Sequence, residues 1–350
     1  MNRRQFLARA AGASVVLPWA AEVRAQSKPA QIAVMTWGGQ FGDVVRSGFD
    51  AVFEKKFGIK VVQDRGSSPV ERITKVKINE ANQIYDILQL HDGLVPLAVK
   101  QGAFERIDRT SPRLTNLPQV YPQFVTDHWV AFIFSELGVA YNTKLVKTPP
   151  RSFADLWRPE FKGRIVLPAI THSIGPYIIP IGAMAAGKSP KDEEAGFEML
   201  KRITDLQPIW ARDTDGIMNA IQNEEAVVGL LYRSQTFTLQ GRGAPAEWVS
   251  PSEGAISVSW GAGIAKGTKN RPWAEEYLNA IMSAEGQTAF ANAFNYSGAN
   301  RGTADLLPAD VRQRVSVNVA DLDRLVHLDQ EFMGDRRVPW TERWNRIVAS

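Results

Sequence analysis

From residue 31 onward, the apolar positions alternate between two rhythms. Gln31–Thr36 is a short apolar run of strand length. The stretch 43–57 then puts Val44, Val45, Phe49, Val52 and Phe53 on one helical face, with Gly58 as a stop. A strand at 59–62, a helix over 70–81, a strand at 84–90 and a helix over 94–100 ended by Gly102 continue the series. This β-α-β-α-β order predicts a parallel sheet with helices on both faces. The pattern then changes: 130–134 and 137–141 are strand-like in close succession, as suits a chain leaving one lobe for another. Ser152-Phe153-Ala154-Asp155 has the form of a capping box opening a short helix. A second βα series starts at 164–167, with helices near 175–186, 192–205 and 216–223 and a strand at 226–232. Ile256–Ile264 is long enough to cross back, and Pro272 opens a return helix with Trp273, Tyr277, Leu278 and Ile281 apolar. Trp340 and Trp344, spaced i,i+4, read as one helical face packed on a lobe.

The N-terminus departs from both rhythms. Asn2-Arg3-Arg4-Gln5-Phe6-Leu7 precedes a small-residue apolar run from Ala10 to Ala21, then Val23-Arg24-Ala25. Paired arginines, a modest apolar stretch and small residues at the −3 and −1 positions predict a twin-arginine-type secretory signal over residues 1–25. The stretch is too short and too rich in Ala and Gly to remain as a membrane-spanning helix. Of the formal charge of +4, most leaves with Arg3, Arg4, Arg9 and Arg24, set against Glu22, and about +1 remains. That balance gives no basis for a nucleic-acid or membrane-surface role. The chain has no cysteine, so we expect no disulfide and no acylated thiol at a mature N-terminus. The mature chain of about 325 residues is long enough for two domains with their own cores, and the expected location is the periplasm.

The order of these segments resembles the spermidine/putrescine-receptor type of periplasmic binding protein, the substrate-binding components of ABC importers. The likeness is densest at Gly138-Val139-Ala140-Tyr141-Asn142 and in the run SFADLWRPEFKGRIVL from Ser152 to Leu167. Met35-Thr36-Trp37-Gly38-Gly39, Tyr85-Asp86-Ile87-Leu88, Gly229-Leu230-Leu231-Tyr232 and the stretch 264–270 complete it. The resemblance implies an α/β protein of the type II periplasmic binding fold: two α/β lobes, crossover hinge strands and a ligand cleft that closes on its solute. It places residues 26–136 with 265–302 in one lobe and 137–264 in the other, with 303–350 as C-terminal helices packing on both. The implied partners are a small-molecule solute and an inner-membrane ABC permease, with the receptor a monomer and no cofactor required.

In open α/β sheets, ligands bind beyond the carboxyl ends of the strands. The residues at or just past those ends are Trp37, Gly38 and Gly39; His91 and Asp92; Thr171 and His172; Tyr232 and Arg233; and Trp260. Glycines let backbone N–H groups approach a ligand, and aromatic faces hold apolar or cationic groups. The resemblance implies that polyamine receptors grip ammonium groups with acids in the second lobe and on the returning strand. At the first location this chain reads Ala169-Ile170-Thr171-His172-Ser173, and at the second it carries Trp260. A dication would lack its counter-charges there, at a cost of several kcal/mol in a closed cleft. Arg233 suits a carboxylate bound bidentately, Trp37, Tyr232 and Trp260 suit a ring or aliphatic body, and Glu136 or Asp92 suits an amine. A small carboxylate or amino-acid-like zwitterion is the expected ligand class. The competing readings are structural: Arg233 paired with an acid near the hinge, Glu136 as a hinge hydrogen-bond acceptor, Trp260 as core, and both histidines as framework.

Three other functions remain to be weighed. A polyamine receptor would use Asp92, Glu136, Asp213 and Asp215 in some other arrangement. A ferric-ion receptor would be expected to show adjacent tyrosines where this chain has Tyr232-Arg233. An exported enzyme has little to work with: His91, His128, His172 and His327 are scattered without metal-ligand spacing, and no Gly-x-Ser-x-Gly occurs. Gly261-Ala262-Gly263 through Gly267 departs from the dinucleotide-loop spacing and reads as a turn before the Pro272 helix.

Overall fold

The computed structural model describes residues 28–315 and 322–349; the expected leader, 1–25, lies outside the described residues. The first half runs β1 (Gln31–Thr36), α1 (Gly39–Val45), a π turn (Arg46–Asp50), α2 (Ala51–Phe57), β2 (Lys60–Arg65), α3 (Pro69–Ile78), β3 (Ile87–His91) and α4 (Val95–Lys100). A single long strand, β4 (Val130–Asn142), leads into the second half. There follow β5 (Ile165–Pro168), α5 (Ile178–Ala185), α6 (Glu193–Thr204), β6 (Ile209–Ala211), α7 (Thr214–Gln222), β7 (Val228–Tyr232), α8 (Arg233–Gly241) and β8 (Ala246–Val249). The return strand β9 (Ile256–Ile264) precedes α9 (Arg271–Ile281), α10 (Ala284–Phe294), β10 (Ser297–Gly298), α11 (Ala309–Val315) and α12 (Gln330–Val348).

The strands form one hydrogen-bonded path in the order β2-β1-β3-β9-β4-β7-β5-β6, with β8 and β10 also paired to β4. The outer pairs are parallel, and the central β3–β9, β9–β4 and β4–β7 pairs are antiparallel. Two large apolar cores flank this centre. Val34, Phe49, Phe53, Leu88 and Tyr277 belong to the first, and Ile165, Ile178, Phe197, Leu230 and Trp340 to the second. Both central strands are shared. On β4, Phe132 and Phe134 enter the first core and Leu137 and Val139 the second; on β9, Ala262 and Ile264 enter the first and Ile256 and Val258 the second.

Two expectations need correction. Residues 130–134 and 137–141 are one strand, because Ser135 and Glu136, polar as they are, stay in the ladder opposite Val258 and Ser257. Val52 is not on the buried face but 45% exposed. The π turn widens the spiral, so the buried row runs Val45, Phe49, Phe53, every fourth residue, and Val52 falls outside it. Several features match the reading from sequence. Gly58 caps α2 in the left-handed region at φ +60°, Ser152 and Asp155 form the capping box, and Trp340 and Trp344 are buried together in the second core.

Gly138 shows how tightly the crossing strand is held. A Cβ there would meet Trp248 Cζ2 and the Val249 carbonyl oxygen, each at 2.6 Å. Gly138→Ala is therefore expected to lower unfolding free energy by about 1–3 kcal/mol in urea titrations; a variant as stable as wild type would mean that Trp248 gives way freely.

Candidate functional site: an aromatic series across two cores

At the end of β1 the chain turns through Gly38 and Gly39. Gly39 has φ +58°, and neither glycine has a neighbour within 4 Å of the space a Cβ would fill. The left-handed turn thus leaves open room beside the half-buried Trp37. The Arg72 guanidinium lies over the Trp37 ring, 4.5 Å from the ring centroid. At the end of β3, Asp92 Oδ1 accepts from the Gly93 amide at 2.8 Å, and Oδ2 accepts from the Ser259 amide at 2.8 Å and hydroxyl at 2.9 Å. This carboxylate ties β3 to the return strand. His91, one residue earlier, lies directly across the ladder from Trp260, so the two side chains share a face.

The second half supplies Tyr232 at the end of β7 and the turn after β5. Thr171 is exposed, whereas His172 is buried, accepting from the Ile174 amide at 3.1 Å with Thr214 Oγ1 3.3 Å from its other nitrogen. Burial pushes the His172 pKa down to about 4; the Asp213 carboxylate opposes the shift and His91 adds to it. Burial likewise holds the Tyr232 and Tyr177 phenols well above their usual range, with Asp92 contributing to both, and pushes Tyr296 up to about 12. All three phenols stay neutral donors at physiological pH.

The rings form a continuous series. Centroid separations are 4.8 Å for Trp37–Phe41, 6.0 Å for Phe41–Phe294, 6.0 Å for Phe294–Tyr296, 4.9 Å for Tyr296–Trp260 and 5.6 Å for Trp260–Tyr232. Trp260 packs against both cores. The three aromatic residues singled out from sequence are therefore joined, but through Phe41, Phe294 and Tyr296, which the strand-end argument missed because they lie on helices or just beyond one. It also missed Gln235, which donates to Tyr296 OH at 3.3 Å, and Gln330, at the start of α12, which donates to Tyr177 OH at 3.0 Å. The only available signal was the aromatic density of 290–296. Among the described residues, no group of three His, Asp or Glu side chains is arranged to hold a metal ion.

Glu136 and Arg233 meet each other, with Arg233 Nη1 3.3 Å from Glu136 Oε2. The pair occupies the far face of β4. Glu136 shares that face with Gly138, over which Trp248 lies, and the guanidinium sits 5.9 Å from the Trp248 centroid and 5.6 Å from that of Phe237. Leu137 and its ladder partner Tyr232 point the other way, into the second core. Arg233, expected as a carboxylate anchor, and Glu136, expected as an amine acceptor, thus face each other, as the structural reading of both had it. Arg233→Ala is expected to destabilise the fold by about 1–3 kcal/mol, by depriving a buried carboxylate of its cation, and to leave solute affinity within about threefold; urea titration and calorimetry check the two halves.

His172 carries a pH dependence. Its folded pKa of about 4 lies below the ordinary histidine value of 6.5, so between those values the unfolded chain binds more protons. Stability is complete above pH 6.5 and falls as pH drops toward 4, by about 3 kcal/mol in all. The test is the difference between wild type and His172→Gln in urea titrations over that window. A difference is needed because Asp50, which burial pushes up to about 6, contributes with the opposite sign between pH 3.8 and 6. Parallel curves for the two proteins would contradict the assignment.

With this geometry in view, the relatives can be placed. The model of the bacterial extracellular solute-binding protein family matches residues 82–326. The spermidine/putrescine-binding periplasmic protein of Salmonella typhimurium is 24% identical over 307 residues, covering 85% of this chain and 86% of that protein. The gamma-aminobutyric acid-binding protein of Pseudomonas aeruginosa is 22% identical over 343 residues, covering 95% and 94%. Among solved structures, an ABC transporter protein from Clostridium perfringens superposes with a TM-score of 0.78 at 26% identity, covering 91% of this chain and 100% of that one. The Atu4243–GABA receptor does so with a TM-score of 0.79 at 23% identity, covering 91% and 98%. The fold is that of the periplasmic binding proteins, with the crossing pair β4–β9 at its centre. The chain belongs to the bacterial extracellular solute-binding protein family.

Proposed function

We propose that this protein captures a small organic solute bearing a carboxylate, most simply an amino-acid-like zwitterion, and hands it to the inner-membrane permease of an ABC importer. In this reading the protein is exported with a cleaved N-terminal signal and works in the periplasm as a monomer. Residues 26–136 with 265–302 make one lobe and 137–264 the other, and closure between them traps the solute. No chemical step is assigned to the cleft.

The observation that carries the proposal is the aromatic series, with Trp260 packed on both cores. A side chain in contact with both halves senses their approach, and its ring offers a face to an aliphatic solute body. Charge narrows the solute class. Asp92 places one negative charge near Tyr177 and Tyr232, while Arg72 lies over the Trp37 ring. One acid and one cation suit a zwitterion, whereas a polyamine would need a second acid and would meet the cation. The relatives are named for both solute types, spermidine/putrescine and gamma-aminobutyric acid. Trp37, Gly38, Gly39, His91, Asp92, Thr171, His172, Tyr232 and Trp260 remain the proposed lining, with Tyr177, Tyr296 and Gln330 added.

A thermal-shift panel of γ-aminobutyrate, amino acids, small organic acids, putrescine and spermidine tests this. At 100 times Kd a ligand stabilises by about 2.7 kcal/mol, enough to raise the melting temperature visibly. The expected result is a shift with a carboxylate-bearing solute and a loss of at least about tenfold in affinity in Trp260→Ala. A shift with polyamines alone would refute the carboxylate class.

A further inference from the structure

Arg72 is unusual. It lies on α3 beside Ile73 and Val76, and its side chain is among the largest fully buried ones, at 1% exposure. A buried guanidinium ordinarily has a carboxylate partner. Among the described residues, none lies within ion-pair distance of this one. Asp64, the acid whose charge it feels, is engaged by Lys75 Nζ at 2.8 Å and Tyr85 OH at 3.0 Å. Arg72 instead donates from Nε to the Ser67 carbonyl at 3.1 Å and from Nη1 to the Gln89 carbonyl at 2.9 Å, and lays its plane against Trp37. Burial pushes its pKa down to about 10, so it stays charged at pH 7.

A second unpaired donor lies close by. The Gln89 side chain is fully buried; its Oε1 accepts from Thr36 Oγ1 at 2.6 Å, and its amide nitrogen has no partner. The turn at Gly38 and Gly39, next along the chain from the half-buried Trp37, is open. Arg72 and the Gln89 amide are themselves sealed from solvent, so what this wall shows a solute is the exposed part of an indole that has a guanidinium over its ring. The face of an indole attracts cations through its quadrupole. With the guanidinium already there, an ammonium approaching the indole would meet a like charge through a medium of low dielectric. A carboxylate, or the uncharged body of a solute next to its carboxylate, would meet attraction.

We infer that Arg72, acting through Trp37, sets the charge preference of this wall, rejecting ammonium groups and favouring the carboxylate end of the solute. It is a positioning residue, since it acts through the ring. The inference rests on the proposed reading that Trp37 lines the solute cleft.

The test compares wild type with Arg72→Met, which keeps much of the volume and removes the charge, and Arg72→Lys, which keeps the charge. Titration calorimetry with γ-aminobutyrate and with putrescine gives the ratio of their Kd values, and melting curves establish folding. The ratio is expected to move about tenfold toward putrescine in Arg72→Met and to stay within about threefold of wild type in Arg72→Lys. Should Arg72→Met not fold, Arg72→Gln, which can still donate to one of the two carbonyls, takes its place. Equal changes for both ligands, or a shift in the lysine variant as large as in the neutral one, would overturn the role of Arg72 and leave the carboxylate reading standing. A wild type that prefers putrescine would overturn the carboxylate reading, while the response of the ratio in the neutral variant would still decide the role of Arg72. Binding of neither probe by wild type would overturn the inference for this pair of solutes and leave the carboxylate reading to be decided by the wider panel.

Discussion

Everything in this molecule depends on the pairing of β4 with β9. Their ladder runs from Val130 opposite Ala262 to Leu137 opposite Ile256, and each strand gives its two ends to different cores. Backbone N–H and C=O groups in so buried a stretch must be paired, and here the two crossing strands satisfy each other's within each half. The only irregularity, between Ala131 and Ile133, leaves the rest of the register intact. A connection of this kind resists separation of the halves along the strands yet permits twist and bend about them. Trp260 stands on it, facing His91 on one side and Ile133 on the other.

Charge in the interior follows from the same constraint. Glu136 and Arg233 lie on the face of β4 away from the rings, covered by Trp248, and balance one another. Asp92 spends both oxygens on backbone and hydroxyl donors and ties β3 to β9. Arg72 has carbonyls and a ring but no acid. An isolated buried cation is expensive to keep, and its carbonyl contacts recover only part of that. Of these groups it is the one without a counter-charge at ion-pair distance among the described residues.

The architecture was legible because periodicity and punctuation agreed. Strands β1 and β9 have the bounds that the apolar runs indicated, and Gly58, Pro272 and the Ser152 box end or begin the elements expected of them. Short or half-polar elements escaped notice: β6 and β8 are three and four residues long, and α8 opens on Arg-Ser-Gln, which has no apolar stripe. Side-chain direction was the harder part of the site. The rule that ligands lie beyond strand ends singles out Trp37, His91, Tyr232 and Trp260 but says nothing of which face a residue takes. Glu136 and Arg233 were therefore placed with Tyr232 although one step along a strand reverses the face. Arg72 gave no signal, because an arginine amid Glu71 and Lys75 on an amphipathic helix reads as solvated, and only the fold turns it inward.

The C-terminal helix touches both halves, with side-chain contacts of unequal strength. Toward the second half, α12 buries Trp340 and Trp344, sets Trp340 Nε1 and Arg336 Nε on the two oxygens of Glu193, and pairs Arg343 bidentately with Glu194. Burying two indoles is worth several kcal/mol. Toward the first half, its only ion pair among the described residues is Lys100–Asp335, with side chains 75% and 56% exposed, a class of contact worth about 0–1 kcal/mol. By its buried indoles and charged hydrogen bonds α12 is anchored on the second half, while it also lies along Asp92–Leu94 and α4 of the first. Its first residue, Gln330, donates to Tyr177 of that same half and lies against Gly93, beside Asp92. The helix thus carries a polar group from the second half to the edge of the first.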